Sequence, residues 1–134
     1  MPAPYPPAPH PLSRFRRLRA SAPLRALVRE SRLSVEDLIW PVFVQDGEGP
    51  DQPVASMPGV ARRSVAGVVA AAEEAAALGI PALCLFPYID PSRKTADCAE
   101  AWDDGNLVNR TIRAVKAAVP GIAGMTDIAL DPYN

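Results

Sequence analysis

Three apolar runs of strand length, separated by segments of helical periodicity, predict an α/β fold built from parallel βαβ units. The runs are LIWPVFV (38–44), IPALCLFPYI (80–89) and IAGMTDIALDP (122–132). The first two lack alternation, as expected of strands covered on both faces. A doubly wound sheet and a barrel are not separable on this pattern. With 134 residues, 49% of them hydrophobic, the chain has apolar material for a real core.

Residues 1–13, MPAPYPPAPHPLS, carry too much proline for a helix or a central strand and predict a disordered or polyproline-like tail. The one histidine, His10, lies there and reads as an unligated tail residue. Residues 14–36 read as an N-terminal arm. Arginines crowd it (Arg14, Arg16, Arg17, Arg19, Arg25, Arg29, Arg32), interleaved with Phe15, Leu18, Leu24, Leu27 and Val28. Leu24, Leu27 and Val28 are spaced to share one face of a short helix beginning near Ser21. Nucleic acid is one partner for such an arm, but another subunit also explains the leucines, and the net charge of −1 gives no global pull toward nucleic acid or an anionic membrane.

Ser34 and Asp37 have capping-box spacing, and the first strand follows. Pro41 cannot donate to a sheet ladder, so this strand should tolerate a gap or begin after it. QDGEGPDQP (45–53) reads as loop. Ser64 caps a helix whose Val65, Val68, Val69 and Ala72 form an apolar stripe and which Gly79 ends. After the second strand, Asp90–Gly105 reads as a polar loop holding Arg93 and Lys94. Asn106 caps a third helix with Val108, Ile112, Val115 and Val119 in helical register, stopped by Pro120-Gly121.

Cys84 and Cys98 form no C-x-x-C pair and have no histidine at metal-ligand spacing. Cys84 reads as a small buried hydrophobe and Cys98 as an exposed, reduced thiol, a usage that suits a reducing compartment. Neither an apolar signal-peptide core nor a membrane-length apolar run occurs, so the cytoplasm is the default. No G-x-G-x-x-G or Walker loop follows any strand.

The last strand carries two carboxylates. Alternation would send Asp127, Ala129 and Asp131 to one face, with Ile128 and Leu130 meeting the helix layer. The two aspartates would then stand roughly 6.5–7 Å apart along the strand, near enough to serve one cation or one cationic substrate group. Turn chemistry at Asp131-Pro132 and backbone hydrogen bonding by Asp127 compete with that reading.

Five blocks together are specific: LIWPVFV (38–44), SMPGV (56–60), LGIPALCLFP (78–87), DDGNLVNRTIRAVK (103–116) and TDIALDPY (126–133). In order and spacing they resemble the porphobilinogen synthase (5-aminolevulinate dehydratase) family. The resemblance implies the N-terminal part of a TIM (β/α)8 barrel, with residues 37–134 forming about three β/α units of an incomplete barrel. It also implies an arm that wraps a neighbouring subunit, usually in a homo-octamer.

Enzymes of this family condense two 5-aminolevulinate molecules into porphobilinogen with loss of two waters, through two lysine Schiff bases. The only lysines here, Lys94 and Lys116, match neither catalytic position. The expectation is therefore an N-terminal fragment, inactive alone, of an active lyase. By the resemblance, Asp127 is a supporting active-site carboxylate that hydrogen-bonds or steers the substrate amine, and Asp131 shapes the same pocket or holds a cation. Zinc-dependent relatives carry cysteines at the positions of Ala129 and Asp131, so cysteine-ligated zinc is disfavoured and magnesium, or no metal, is expected. No nucleic acid or membrane partner is expected. The alternatives are another Schiff-base TIM-barrel enzyme of class I aldolase type and a small α/β binding module with a basic arm.

Overall fold

The computed structural model describes residues 9–12, 14 and 16–134. Most of the proline-rich tail expected at 1–13, and Phe15 of the arm, lie outside the described residues. The chain divides into two compact units, Met1–Leu33 and Ser34–Asn134.

In the first unit a 3-10 turn, Arg17–Arg19, precedes helix α1, Ala22–Leu27. Ser21 caps α1 as expected, its hydroxyl accepting from the Leu24 N–H at 3.5 Å, and Pro23 occupies the first turn, where its missing donor costs nothing. The Arg25 guanidinium donates to the Arg19 carbonyl at 3.0 Å. No residue of α1 is buried.

The second unit opens on a 3-10 turn, Val35–Asp37. The Ser34 backbone N–H donates to the Asp37 carboxylate at 2.7 Å and its hydroxyl does so at 3.0 Å. Those bonds, the backbone one first, hold the Asp37 carboxyl below the ordinary carboxylate range.

Five strands form one sheet in the order β2-β3-β1-β4-β5: β1 Ile39–Gln45, β2 Gln52–Pro53, β3 Ala61–Arg63, β4 Ala82–Tyr88 and β5 Ala123–Thr126. β1 runs parallel to β3 and β4, and β4 parallel to β5; only β2 is antiparallel, to β3. This is α/β with parallel βαβ units, as the apolar runs predicted. Pro41 proves compatible with the middle of β1: β3 reaches only Phe43 and Val44, so one side of the strand at Pro41 has no ladder to break. β2 lies inside the stretch read as loop, and β3 went unforeseen; at two and three residues neither is long enough to show a periodicity.

Helix α2 (Val65–Ala77) and helix α4 (Leu107–Ala118) cover one face of the sheet; α3 is the short helix Ala99–Trp102. The Ser64 and Asn106 side chains cap α2 and α4, accepting from Gly67 N–H at 3.2 Å and Asn109 N–H at 2.8 Å. Gly79 follows α2 with φ +81°, the left-handed conformation that glycine adopts without strain. At the other end of α4, the Lys116 ammonium donates to the Pro120 and Ile122 carbonyls at 2.6 and 2.8 Å. Val42 and Val44 of β1 and Leu83 and Leu85 of β4 meet Val68, Ala72, Ala75, Leu107 and Val115 in the core. Burying each such branched side chain stabilises the fold by about 1.5–3 kcal/mol, and alanine on α2 allows close approach of helix to sheet.

The other sheet face departs from expectation. Residues alternate with the core set, and Phe43, Cys84 and Phe86 are only half-buried while Ile39 and Met125 are exposed. Cys84, expected to be buried, lies on this open side. The continuous apolar runs fit strands covered on both faces, but within Ser34–Asn134 only one face has a helix layer.

The last predicted strand is shorter than its apolar pattern. β5 ends at Thr126, and Asp131–Tyr133 is a 3-10 turn. Ile128 is 94% exposed and Leu130 42%, so neither joins the helix layer. Gly124 of β5 faces α4 so closely that a Cβ would stand 2.7 Å from Ile112 Cδ1. Gly124→Ala should therefore cost about 1–2 kcal/mol in urea unfolding, and adding Ile112→Val, which removes the clashing methyl, should recover part of that loss. An unchanged unfolding midpoint in the single variant would show that this contact is not tight.

Candidate functional site

The C-terminal ends of the parallel strands, where α/β folds build their sites, gather most of the polar side chains that act together here. Asp46 follows β1 directly. Its carboxylate accepts from the Arg110 guanidinium of α4 at 2.6 Å and from that of Arg93, which lies beyond β4. Arg93 in turn pairs with Glu100 of α3 at 2.6 Å. A cleft of about 620 Å³, lined by Asp46, Glu48, Ser64, Val65 and Arg110 among others, adjoins this network. The four groups were not singled out from the sequence as a cluster. Arg93 lies 47 residues from Asp46 and Arg110 lies 64, separations at which no local motif signals a pairing.

The stretch expected to be plain loop after β4 is instead a folded strap. The Asp90 carboxylate accepts from the Ser92 hydroxyl and from its backbone N–H at 2.8 Å, starting the 3-10 turn Pro91–Arg93. Those two bonds, the hydroxyl's first, hold the Asp90 carboxyl below its ordinary range. The Thr95 N–H donates to the Tyr133 carbonyl at 3.0 Å, and Lys94 Nζ to the Asn134 carbonyl at 3.2 Å. Cys98, expected to be exposed, is only 5% exposed; its backbone is left-handed at φ +54°, and its thiol lies 3.7 Å from the Leu130 carbonyl oxygen. The strap closes over the chain leaving β5, which explains the burial that a polar local sequence concealed. Tyr133 is buried there too, and burial, with a lesser contribution from the Glu100 charge, raises its hydroxyl above the ordinary range.

The two aspartates singled out from the sequence lie in this departing segment, not on a strand. Asp127 Oδ1 accepts from the Ala129 N–H at 3.0 Å, the local backbone bond that competes with strand continuation, and Asp131 starts the 3-10 turn with Pro132. The expected sharing of one strand face by Asp127, Ala129 and Asp131 therefore fails. Asp127, with Trp102, Asn106, Asn109 and Tyr133, lines a cleft of about 450 Å³. Among the described residues no three His, Cys, Asp or Glu side chains converge as a metal site.

Two outcomes test this geometry. Asp46→Asn removes the negative charge shared by two part-exposed arginines, and one of the two acceptor oxygens, and should cost about 1 kcal/mol at low salt, shrinking toward zero at high salt, as read by urea unfolding. Because the Asp90 carboxyl is held low in the fold, its contribution to stability is present above its unfolded pKa and disappears as pH falls through the folded value. Ser92→Ala should move the Asp90 midpoint in carbon-detected NMR titration back up toward an ordinary carboxylate; an unmoved midpoint would refute the assigned cause.

A family model described as Delta-aminolevulinic acid dehydratase matches residues 12–134. The delta-aminolevulinic acid dehydratase of Rhodobacter capsulatus is 50% identical over 126 residues, 94% of this chain and 38% of that protein. That of Bradyrhizobium diazoefficiens is 46% identical over 121 residues, 90% of this chain and 34% of its own length. Among solved structures, the delta-aminolevulinic acid dehydratase (porphobilinogen synthase) of Toxoplasma gondii, in complex with the reaction product porphobilinogen, superposes with a TM-score of 0.84 at 38% identity. That superposition covers 91% of this chain and 34% of the other. The chain spans about a third of the length of these relatives, and its strand order and short β2–β3 hairpin are thus those of one part of a barrel. Sequence blocks, fold and these matches agree: the chain belongs to the delta-aminolevulinic acid dehydratase family.

Proposed function

We propose that this chain supplies the first β/α units of a porphobilinogen synthase, which condenses two 5-aminolevulinate molecules into porphobilinogen with loss of two waters. The observation that carries this reading is the superposition on the product-bound Toxoplasma gondii structure along nearly the whole of this chain. A class I aldolase and a small basic-armed binding module gain nothing from the family match over residues 12–134.

The chemistry calls for lysines that attack the substrate ketones and, as iminium ions, serve as electron sinks. Neither lysine of this chain suits that role. Lys116 is engaged by two carbonyls at the C-terminal end of α4, away from the strand ends where the site is built, and Lys94 lies in the strap after β4 rather than on a strand. The Schiff-base lysines therefore belong to sequence outside these 134 residues. What this chain contributes is placement: the strap from Asp90 to Trp102 fixes the exit of β5, and Asp127 hydrogen-bonds or steers the substrate amine from there. Asp131 shapes the same region or holds a cation.

Magnesium or no metal remains our proposal, with cysteine-ligated zinc disfavoured. Ala129 offers no donor and Asp131 is a hard oxygen donor, which suits magnesium better than a thiolate zinc site. The arm, with Leu18 and Leu27 exposed among its arginines, is proposed to pack on another copy of the protein in a homo-octamer rather than on nucleic acid or a membrane. No helix among the described residues is long and apolar enough to cross a membrane, and the cytoplasm is the proposed location.

The test is to express the product of the reading frame continued past Asn134 and assay porphobilinogen formation from 5-aminolevulinate, with and without chelator. Turnover that borohydride abolishes only in the presence of substrate is the expected result, because hydride reduces the iminium to an inert secondary amine. The 134-residue chain alone should form no product. Absence of turnover in the extended protein would overturn the proposal, and insensitivity to chelator would favour the metal-free form.

A further inference from the structure

Among the described residues, Arg93 is the one arginine paired with carboxylates of two separate segments. Arg63 meets Asp51 alone, Arg113 meets Asp104 alone, and Arg62 is stacked on the Tyr88 ring, its Cζ atom 3.9 Å from the centroid. Arg110 reaches one carboxylate, Asp46, while its Nε donates to the Gly105 carbonyl at 2.8 Å. Arg93 points Nη1 at Asp46, just past β1, and Nη2 at Glu100 of α3, 2.7 Å from Oε1 and 2.6 Å from Oε2.

The two ends of this bridge have different consequences. The Glu100 side chain is only 8% exposed, and a carboxylate so placed needs a cation; among the described residues Arg93 is the one it meets. Asp46 has no such need, because its side chain is 40% exposed and Arg110 already answers its other oxygen. An ion pair that open to water contributes little to stability. What the Asp46 contact adds is direction: a planar guanidinium with donors on both sides holds two partners in one geometry, which an ammonium does not. That geometry reaches the segment leaving β5. Helix α3 packs on the 3-10 turn Asp131–Tyr133, the Thr95 N–H donates to the Tyr133 carbonyl at 3.0 Å, and the buried Tyr133 lies within reach of the Glu100 charge. On the same segment Asp127 accepts from the Ala129 N–H.

We propose that Arg93 is a positioning residue: by spanning Asp46 and Glu100 it sets the strap against the end of β1, and through the strap it sets where Asp127 stands for the reaction. This rests on the porphobilinogen synthase reading above and on the role given there to Asp127. The experiment compares Arg93→Lys, Asp127→Asn and the two combined with the parent in the protein made from the continued reading frame. It measures kcat and KM for 5-aminolevulinate, the thermal midpoint, and amide hydrogen exchange over residues 94–102 and 127–133.

Lysine keeps a cation beside Glu100 but cannot hold both carboxylates in one plane. Arg93→Lys should therefore leave the thermal midpoint in place, lower kcat roughly 10-fold with KM changed much less, and speed exchange over both stretches. In the Asp127→Asn background the same substitution should lower kcat no further, because residues that act through one group are not additive. A second loss of the same size in that background would overturn the proposal. So would unchanged kcat or unchanged exchange in Arg93→Lys, or a kcat loss that only follows a lowered midpoint. If the parent does not turn over 5-aminolevulinate, the functional reading fails, and the exchange rates still decide whether Arg93 holds the segment that carries Asp127.

Discussion

The seven-residue parallel ladder between β1 and β4 is the constraint from which the rest follows. Ile39 through Gln45 pair one for one with Ala82 through Tyr88, and because side chains alternate, that register assigns every residue of both strands to one of two faces. Val42, Val44, Leu83 and Leu85 go to the helices; Phe43, Phe86, Gln45 and Tyr88 go to the other side. A slip of one residue would exchange the sets, place aromatic rings under α2 and turn Tyr88 away from Arg62. The same ladder fixes where the strands stop, and hence where Asp46 and the strap meet.

Much of this was legible in the sequence because the signals are local. The apolar runs at 38–44 and 80–89, the capping residues Ser64 and Asn106, and Gly79 each act through neighbours a few positions away, and each structural counterpart lies where expected. Pro41 shows the limit of a local rule: its cost depends on whether a second strand lies alongside, which only the assembled sheet decides. The end of β5 shows another. Alternation continues on paper through Asp131, but Asp127 can bond the backbone two residues ahead, and the strand ends just before it at Thr126.

The site was less legible than the fold. Asp127 and Asp131 were visible as carboxylates near a strand end, but their environment is set by residues 95–102, which the sequence shows only as a polar stretch. The Asp46, Arg93, Arg110 and Glu100 network joins three distant segments, and every member read alone is an ordinary surface charge. Arg62 and Arg63 are adjacent and chemically identical, yet one is neutralised by Asp51 and the other lies against an aromatic ring; only the strand register tells them apart. Family resemblance added what periodicity did not, a chemistry and a partner for the arm, without supplying this local geometry.

Cys98 carries a consequence of its own. Its thiol is shielded by the strap and by the segment leaving β5, and its left-handed backbone is tolerated because the turn from Thr95 requires it. A thiol reagent can reach the sulfur only when those layers part. When closing is faster than the chemical step, the labelling rate divided by that of a free thiol gives the equilibrium constant for this local opening. The protein thus contains a built-in reporter on the coupling between the strap and the departing β5 segment, readable by mass spectrometry without altering a residue.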